Sequence, residues 1–251
     1  MDALILAGGK APDDLLDKAP SGDRALIELE GKTLLAYVYE ALRQTPGIER
    51  IAVAGSPGAL AALSSVAPLA LPAPAADTMM DTVVSGLRVL EAPDVLISTC
   101  DIPLATASTF EELIKKTRER NLDACYPIVR RAVCEAQFPE GKRTYGHVKE
   151  GAFTAGNAVI VQSHVIEPML DFFKASYNAR KNPLAMAKLF GAGFLWKALT
   201  RQLRVQEAEF TMSRLLGCQA GAIEMNDASI AFDIDKLEHY QTALKQLKMQ
   251  S

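Results

Sequence analysis

The stretch Asp2-Ala-Leu-Ile-Leu-Ala-Gly-Gly-Lys10 governs how the rest of the chain is read. Residues 3–7 are apolar without alternation, and the run is too short for a solvent-facing helix. A short continuous apolar run closed by Gly-Gly reads as a strand buried on both faces. Gly8 and Gly9 carry no Cβ and reach backbone angles that other residues avoid. Their amides can therefore turn inward around an anion, most simply a phosphate. An ordinary strand-to-loop turn also explains two glycines, so the choice rests on residues further along the chain.

Outward from that stretch, strand and helix patterns alternate. Residues 10–23 are polar, rich in Asp, Pro and Gly, and read as a mobile loop; 25–29 is a short extended piece. Thr33 is placed to cap a helix whose apolar face is Leu34, Leu35, Val38, Ala41 and Leu42. A strand is expected over 48–54, a short helix over 57–66 and a connection with room for a short strand over 67–76. A third helix starts at Asp77, with Met80, Val83, Val84, Leu87 and Leu90 on its buried side. The run 95–100 is another buried strand, followed by a helix over 106–121 and a strand over 124–129. Such alternation implies an α/β fold, a mostly parallel sheet with helices on both faces. Its ligands would sit beyond the carboxyl ends of the strands.

The second half is less regular. Residues 130–146 read as strands and loop, and 152–161 as a strand interrupted at Gly156-Asn157. Helices are expected over 165–174 and 184–203, a last strand over 230–234 and a helix over 237–248. The expected organisation is one domain over 1–251 with a small helical insertion at about 164–216 capping the sheet.

Composition sets the outer limits. Of 251 residues, 49% are hydrophobic, and the formal net charge is −3 with no long run of one sign. That permits a sizeable core and argues against a nucleic-acid or membrane-surface protein. No basic segment leads into a longer apolar one at the N-terminus, and no segment approaches a membrane span. Cys100, Cys125, Cys134 and Cys218 form no Cys-x-x-Cys pair, so free thiols in the cytoplasm are expected rather than structural zinc.

Several residues carry possible chemistry. Asp101 directly follows a buried strand at the ligand edge, where a carboxylate suits Mg²⁺ with substrate phosphates; it equally serves to cap the turn before Pro103. Asp235 has the same two readings, metal ligand or helix N-cap with Glu238 completing a capping box. Lys10 and Arg24 are placed to meet phosphate, Arg24 bidentately, whereas Lys18 reads as a surface charge. Thr82, Ser85 and Gly86 are candidates for base or ribose, with core packing of Val83 and Val84 as the other explanation. In Phe153-Thr-Ala-Gly-Asn157 a glycine breaks a strand, as happens at a bulge or where a ligand approaches. His147 reads as a loop residue.

Taken together, Leu6-Ala-Gly-Gly-Lys10, Arg24-Ala-Leu-Ile-Glu-Leu-Glu-Gly-Lys-Thr-Leu-Leu35, Ser98-Thr-Cys-Asp-Ile-Pro103 and Asp233-Ile-Asp235 resemble the nucleotidyltransferases of the nucleotide-diphospho-sugar transferase fold. The resemblance is greatest to the molybdenum cofactor guanylyltransferase branch and similar small-substrate enzymes. It implies that Ala7, Gly8 and Gly9 cradle a nucleoside triphosphate, and the expected nucleotide site adds Leu6, Lys10, Arg24, Thr82 and Ser85. It implies Mg²⁺ on Asp101 and Asp235, and an acceptor near Gly156 and Asn157. The loop here is longer and more acidic than in that family, with Asp13, Asp14 and Asp17, and Arg24 stands where a Lys is usual.

The reaction so implied moves an NMP from an NTP to a phosphorylated small-molecule acceptor and releases pyrophosphate, with Lys10 and Arg24 offsetting triphosphate charge. A homodimer is admitted. A nucleotide-sugar glycosyltransferase is disfavoured by Cys100-Asp101-Ile102-Pro103 where Asp-x-Asp is typical. A dinucleotide oxidoreductase lacks Gly-x-Gly-x-x-Gly. A non-catalytic nucleotide-binding protein remains the other reading of this fold.

Overall fold

The computed structural model describes every residue except Pro20, Glu91, Lys142 and Ser251. Strand β1 (Asp2–Ala7) leads through two short pairing segments, β2 (Glu28–Leu29) and β3 (Lys32–Thr33), into α1 (Leu34–Gln44). Then come β4 (Ile51–Gly55), α2 (Pro57–Ala61), α3 (Leu63–Val66), β5 (Leu71–Pro74), α4 (Met79–Leu87), β6 (Asp94–Thr99), α5 (Ala107–Glu119) and β7 (Ala124–Arg130). The remainder is α6 (Arg131–Gln137), β8 (Gly146–Val148), β9 (Gly151–Ala155), β10 (Ala158–Gln162), α7 (Ile166–Ala179), α8 (Pro183–Phe190), α9 (Ala192–Leu199), α10 (Val205–Leu216), β11 (Ala220–Met225) and α11 (Leu237–Gln250).

Among the described residues, nine strands form one sheet in the order β5-β4-β1-β6-β10-β7-β9-β8, with β11 on β7. Pairing is parallel between β4 and β5, β1 and β4, β1 and β6, and β7 and β11. Only β9 and β10 run against the rest of this sheet, because β10 is antiparallel to both β6 and β7 and β9 to both β7 and β8. The mostly parallel α/β sheet read from the sequence is what forms.

Alternation along β1 builds three layers. Ala3, Ile5 and Ala7 face one core with Leu34, Leu35, Val38 and Leu42 of α1 and Phe110 and Leu113 of α5. Leu4 faces the other with Val83 of α4, Met169 of α7 and Leu216 of α10. With both faces covered, β1 is apolar from Ala3 to Ala7, which is the pattern that marked it, and the buried Asp2 at its start is paired with Arg50. Thr33 caps α1 as expected, its Oγ1 accepting the Ala36 amide at 3.2 Å.

Four expectations need correction. Residues 230–234 are not a strand: a 3-10 turn spans Ala228–Ala231 and the chain then runs irregularly, with Ile230, Phe232 and Ile234 fully buried. An apolar run reports burial, and here the backbone is satisfied without a ladder, the Ile234 amide reaching the Asp101 carbonyl at 2.9 Å. Residues 130–146 contain helix α6 rather than extra strands. The helix expected over 184–203 is two helices, because Gly191 takes φ +94 between α8 and α9. Residues 10–23 are not a free loop: a 3-10 helix over Asp13–Lys18 buries Leu15 completely. Strand β11 is an addition to the elements expected from sequence; its Gly221 lies so close to Leu122 that an added Cβ would stand 2.7 Å from the leucine Cδ1.

Candidate active site

After β1 the chain goes to β4 and β5 on one side and returns to β6 on the other, so strand order reverses between β1 and β6. A crevice at the carboxyl ends of such strands is where open α/β sheets bind ligands. Gly8-Gly9 and Asp101 stand on its two lips. The Arg24 amide bonds the Gly9 carbonyl at 3.0 Å, and Lys10 pairs with Asp23 in an antiparallel bridge. The returning end of the acidic loop is thereby pinned to the glycine turn.

Arg24 is the centre of the arrangement. Its Nη1 donates to Asp101 Oδ2 at 2.7 Å and to Asp235 Oδ1 at 2.7 Å. The two oxygens share one nitrogen at 2.7 Å each, so they are at most twice 2.7, or 5.4 Å, apart. Residues 24, 101 and 235, far apart in the sequence, therefore meet on one edge. Burial opposes the Arg24 charge, but the bonds to Asp101 and Asp235 outweigh it and raise its pKa. Asp101 is buried, and its Oδ1 has no partner among the described residues.

Asp235 is not the helix cap. The Leu237 amide at the start of α11 is held by Asp14 Oδ2 at 2.8 Å, so the acidic loop supplies that bond. The Asp235 amide donates instead to His239 Nδ1 at 3.3 Å. In a neutral imidazole that leaves the proton on Nε2, and this nitrogen is buried without a partner among the described residues. Burial, then the nearby Arg143 charge, depress the His239 pKa.

Asp233 extends the cluster. Its Oδ1 accepts from Arg143 Nη1 at 2.9 Å and from Asn157 Nδ2 at 3.4 Å. Arg143 lies over the Phe232 ring, and its Nη2 has no partner among the described residues. Asp235 shares a hydrogen bond with Asp233, which together with burial and mutual repulsion raises its pKa to about 6 against the pull of Arg24. Burial would raise Asp233 as well, but the Asp235 bond and Arg143 hold it below the ordinary carboxylate range. In the sequence Asp233 reads as strand interior, and Arg143 and His239 carry no local signal.

A cavity of about 720 Å³ adjoins this edge, between the sheet and the helices α4, α7 and α10. Leu6, Thr99, Gly156 and Asn157 line it on the sheet side and Phe172 and Met212 on the other. Its walls are mainly apolar, and Thr99 Oγ1 is buried without a partner among the described residues.

The sequence matches a family model described as a MobA-like NTP transferase domain over residues 3–201. The chain belongs to the MobA-like NTP transferase family. It is accordingly a nucleotidyltransferase. A hypothetical transferase from Thermus thermophilus has a similar structure, with 30% identity and a TM-score of 0.80 over 95% of this chain and 98% of that one. The CMP:2-keto-3-deoxy-manno-octonic acid synthetase complexed with CTP shares the fold at 13% identity and TM-score 0.66, over 100% of this chain and 99% of that one. So does the 4-diphosphocytidyl-2C-methyl-D-erythritol synthase from Anaerococcus prevotii, at 13% identity and TM-score 0.61, over 98% and 97%. None of the curated proteins compared matches the sequence.

Within this nucleotidyltransferase several expected nucleotide contacts have other work. Thr82 is buried, and its hydroxyl accepts the Ala76 amide at 2.9 Å and donates to the Thr78 carbonyl at 2.9 Å. It fastens the turn into α4 and offers no free donor. Gly86 lets α4 press on β1, since an added Cβ would stand 2.2 Å from Leu4 Cδ1. Ser85 is half-buried on the same helix. An added Cβ on Gly8 would stand 2.7 Å from that of Ala75, and on Gly156 2.7 Å from Pro127 Cγ. Gly9 is different: the nearest atom to an added Cβ is 3.8 Å away, on Arg24, so packing does not demand glycine there. Lys10 is exposed, and Lys18 pairs with Asp17 at 3.0 Å.

Proposed function

We propose that the protein transfers an NMP from an NTP to a phosphorylated small-molecule acceptor and releases pyrophosphate, with Mg²⁺ held by Asp101 and Asp235. The observation that carries this reading is the pair of carboxylates drawn together by Arg24 beside Gly8-Gly9, one of them with a buried oxygen left unpartnered. Such a pair fits Mg²⁺, which takes one or two protein carboxylates and completes its shell with water and substrate phosphates. Among the described residues no group of three or more His, Cys, Asp or Glu could hold a metal unaided. That suits a metal arriving with a triphosphate.

When bound, Mg²⁺ would supply Lewis-acid stabilisation of the reacting phosphates. The chain does the rest by positioning and charge. The amides of Gly8 and Gly9 receive the triphosphate. Arg24 neutralises the carboxylate pair in the structure and, released from it, turns its fork to the phosphates. Lys10, exposed next to the glycine turn, adds a second positive charge. Asn157 and the free Nη2 of Arg143 are assigned to the acceptor phosphate, and the cavity lined by Thr99 and Gly156 to the acceptor body. Its mainly apolar wall favours an acceptor with few hydroxyls over a bare sugar phosphate.

The test is a matrix of the four NTPs against phosphorylated metabolites, with and without Mg²⁺, read as pyrophosphate release. One NTP and one acceptor together should give Mg²⁺-dependent release. NTP binding without release under any pairing would move the reading to a non-catalytic nucleotide-binding protein.

A further inference from the structure

Helices α8 and α9 stand out from every other element. Their sequences, Pro-Leu-Ala-Met-Ala-Lys-Leu-Phe and Ala-Gly-Phe-Leu-Trp-Lys-Ala-Leu, are apolar but for one Lys each and one Gly. Yet neither buries a single described residue. A helix apolar on all sides is normally enclosed. At their inner edge Phe190 meets Phe172 of α7 with ring centroids at 5.7 Å and stacks on Phe194 at 5.4 Å. Outward, Leu184 is 83% exposed, Leu199 79% and Trp196 67%, beside Phe210 of α10 at 72%. Apolar exposure concentrated in this way marks an interaction surface.

Charge identifies the partner. Between Asp171 and Glu207 the chain carries seven Lys and Arg and no Asp or Glu, in a protein whose net charge is −3. The seven are Lys174, Arg180, Lys181, Lys188, Lys197, Arg201 and Arg204, and all are exposed. Lys197 pairs with Glu207, and Arg180 stacks on Tyr177. The near-neutral total conceals this local excess, because it averages over acidic residues elsewhere.

We propose that α8 and α9 dock the protein on the surface of an anionic phospholipid bilayer. Trp, Phe and Leu among Lys and Arg are the composition of helices that lie in the bilayer interface, the rings at headgroup level and the cations on anionic lipid. Each helix has eight residues, about 12 Å at 1.5 Å per residue, so neither crosses a hydrocarbon core of about 30 Å. A second copy of this chain fits the surface less well. A two-fold interface places the same patch against itself, and here it would set one basic face against another. Because α7 and α10 line the cavity from the same side, docking would bring the site's apolar wall to the bilayer.

Trp196 is the only tryptophan, so its emission reports on this surface alone. The experiment adds the full-length protein to vesicles of phosphatidylcholine, and to vesicles of phosphatidylcholine with phosphatidylglycerol. Co-sedimentation and a blue shift of Trp196 emission with the anionic vesicles only, both weakening as salt is raised, are the expected result. Lys188→Glu combined with Arg201→Glu should weaken binding at least tenfold. Trp196→Ser combined with Leu199→Ser should also weaken it, with an unchanged far-ultraviolet circular dichroism spectrum for both variants. Equal binding to both vesicle types, or none to either, overturns the proposal from the parent protein alone. A blue shift that tracks protein concentration without lipid, with a dimer in sedimentation velocity, assigns the face to a second copy instead.

Discussion

Strands β1 and β6 and helices α8 and α9 all carry apolar runs, and the runs have opposite fates. Leu4, Ile5 and Leu96 are fully buried, whereas α8 and α9 bury no described residue. The difference lies in what each run is pressed against. Glycines let the site-bearing half close tightly, with α4 on β1 through Gly86 and the β5 connection on the first loop through Gly8. Arg24, Asp101 and Asp235 meet in this tight half, and the catalytic role proposed for them would need that precision. The cap has aromatic contacts along one edge and an open face, which suits a surface that must meet something else.

The largest effect should come from the tight half. Asp101→Asn should lower the rate of pyrophosphate release by about 10³-fold, the upper range for removing one charge-stabilising group. Near-parent activity in a folded Asp101→Asn protein would leave the edge carboxylate a mere turn residue. The contrast in burial itself is broken or upheld by Leu96→Ala against Leu199→Ala. The first should cost about 3 kcal/mol through a cavity in the core, and the second less than about 0.5 kcal/mol. Comparable losses in denaturant unfolding would show that the cap is packed after all.

Arg24→Ala ranks next, at about 10²-fold in rate. It also leaves Asp101 and Asp235 facing each other without a counter-charge, so the metal-free protein should lose about 2 kcal/mol. The distinguishing feature is rescue: Mg²⁺ should return part of that stability, because a cation takes the place the guanidinium left. Loss without Mg²⁺ rescue would make the cluster a structural ion pair. Arg24→Lys should recover much of the rate but less of the stability, since an ammonium cannot meet both carboxylates as Nη1 does and also bond the Lys10 carbonyl as Nε does.

The glycine turn separates packing from binding. Gly8→Val should destabilise by about 2 kcal/mol through collision with Ala75, besides losing nucleotide. Gly9→Ala has room for its methyl and should keep the melting temperature while weakening NTP binding. Equal NTP affinity in Gly9→Ala would confine the functional role to Gly8 or to neither.

Legibility in the sequence divides along the same line. The runs of β1 and β6 and the capped α1 are legible because continuous apolarity, Gly-Gly and a Thr cap are local signals. Strand β11 is not, since Ala, Gly and Glu in Ala220–Met225 carry little strand preference and its identity depends on fitting against Leu122. Residues 230–234 mislead because burial without a ladder looks the same in one dimension. Asp101 and Asp235 are visible as candidates. That one arginine joins them, that Asp14 takes over the capping role, and that Arg143 and His239 close the cluster are facts of contact between distant segments. No spacing rule encodes them.

The smallest predicted effect is the pH dependence of the metal-free protein, measured with chelator present. Asp235 is held at about 6, well above an unfolded aspartate near 3.9. Between these values the folded state binds the extra proton, so stability from this group is full below about pH 4 and is lost as pH rises through about 6. Asp233 is held low, so its contribution is present above about pH 4 and is lost only below it, outside that window. The net slope between about pH 4 and 6 should therefore be downward. The Asp235 side chain is 48% exposed and solvent screens it, so the change should stay below about 1 kcal/mol. Asp235→Asn removes the titrating group and should flatten the curve. Mg²⁺ should tilt the parent's curve the other way, because binding draws on the ionised pair and strengthens as pH rises. If thermal melts of Asp235→Asn keep the parent's slope, the shared proton does not reside on the carboxylate that Arg24 holds beside Asp101.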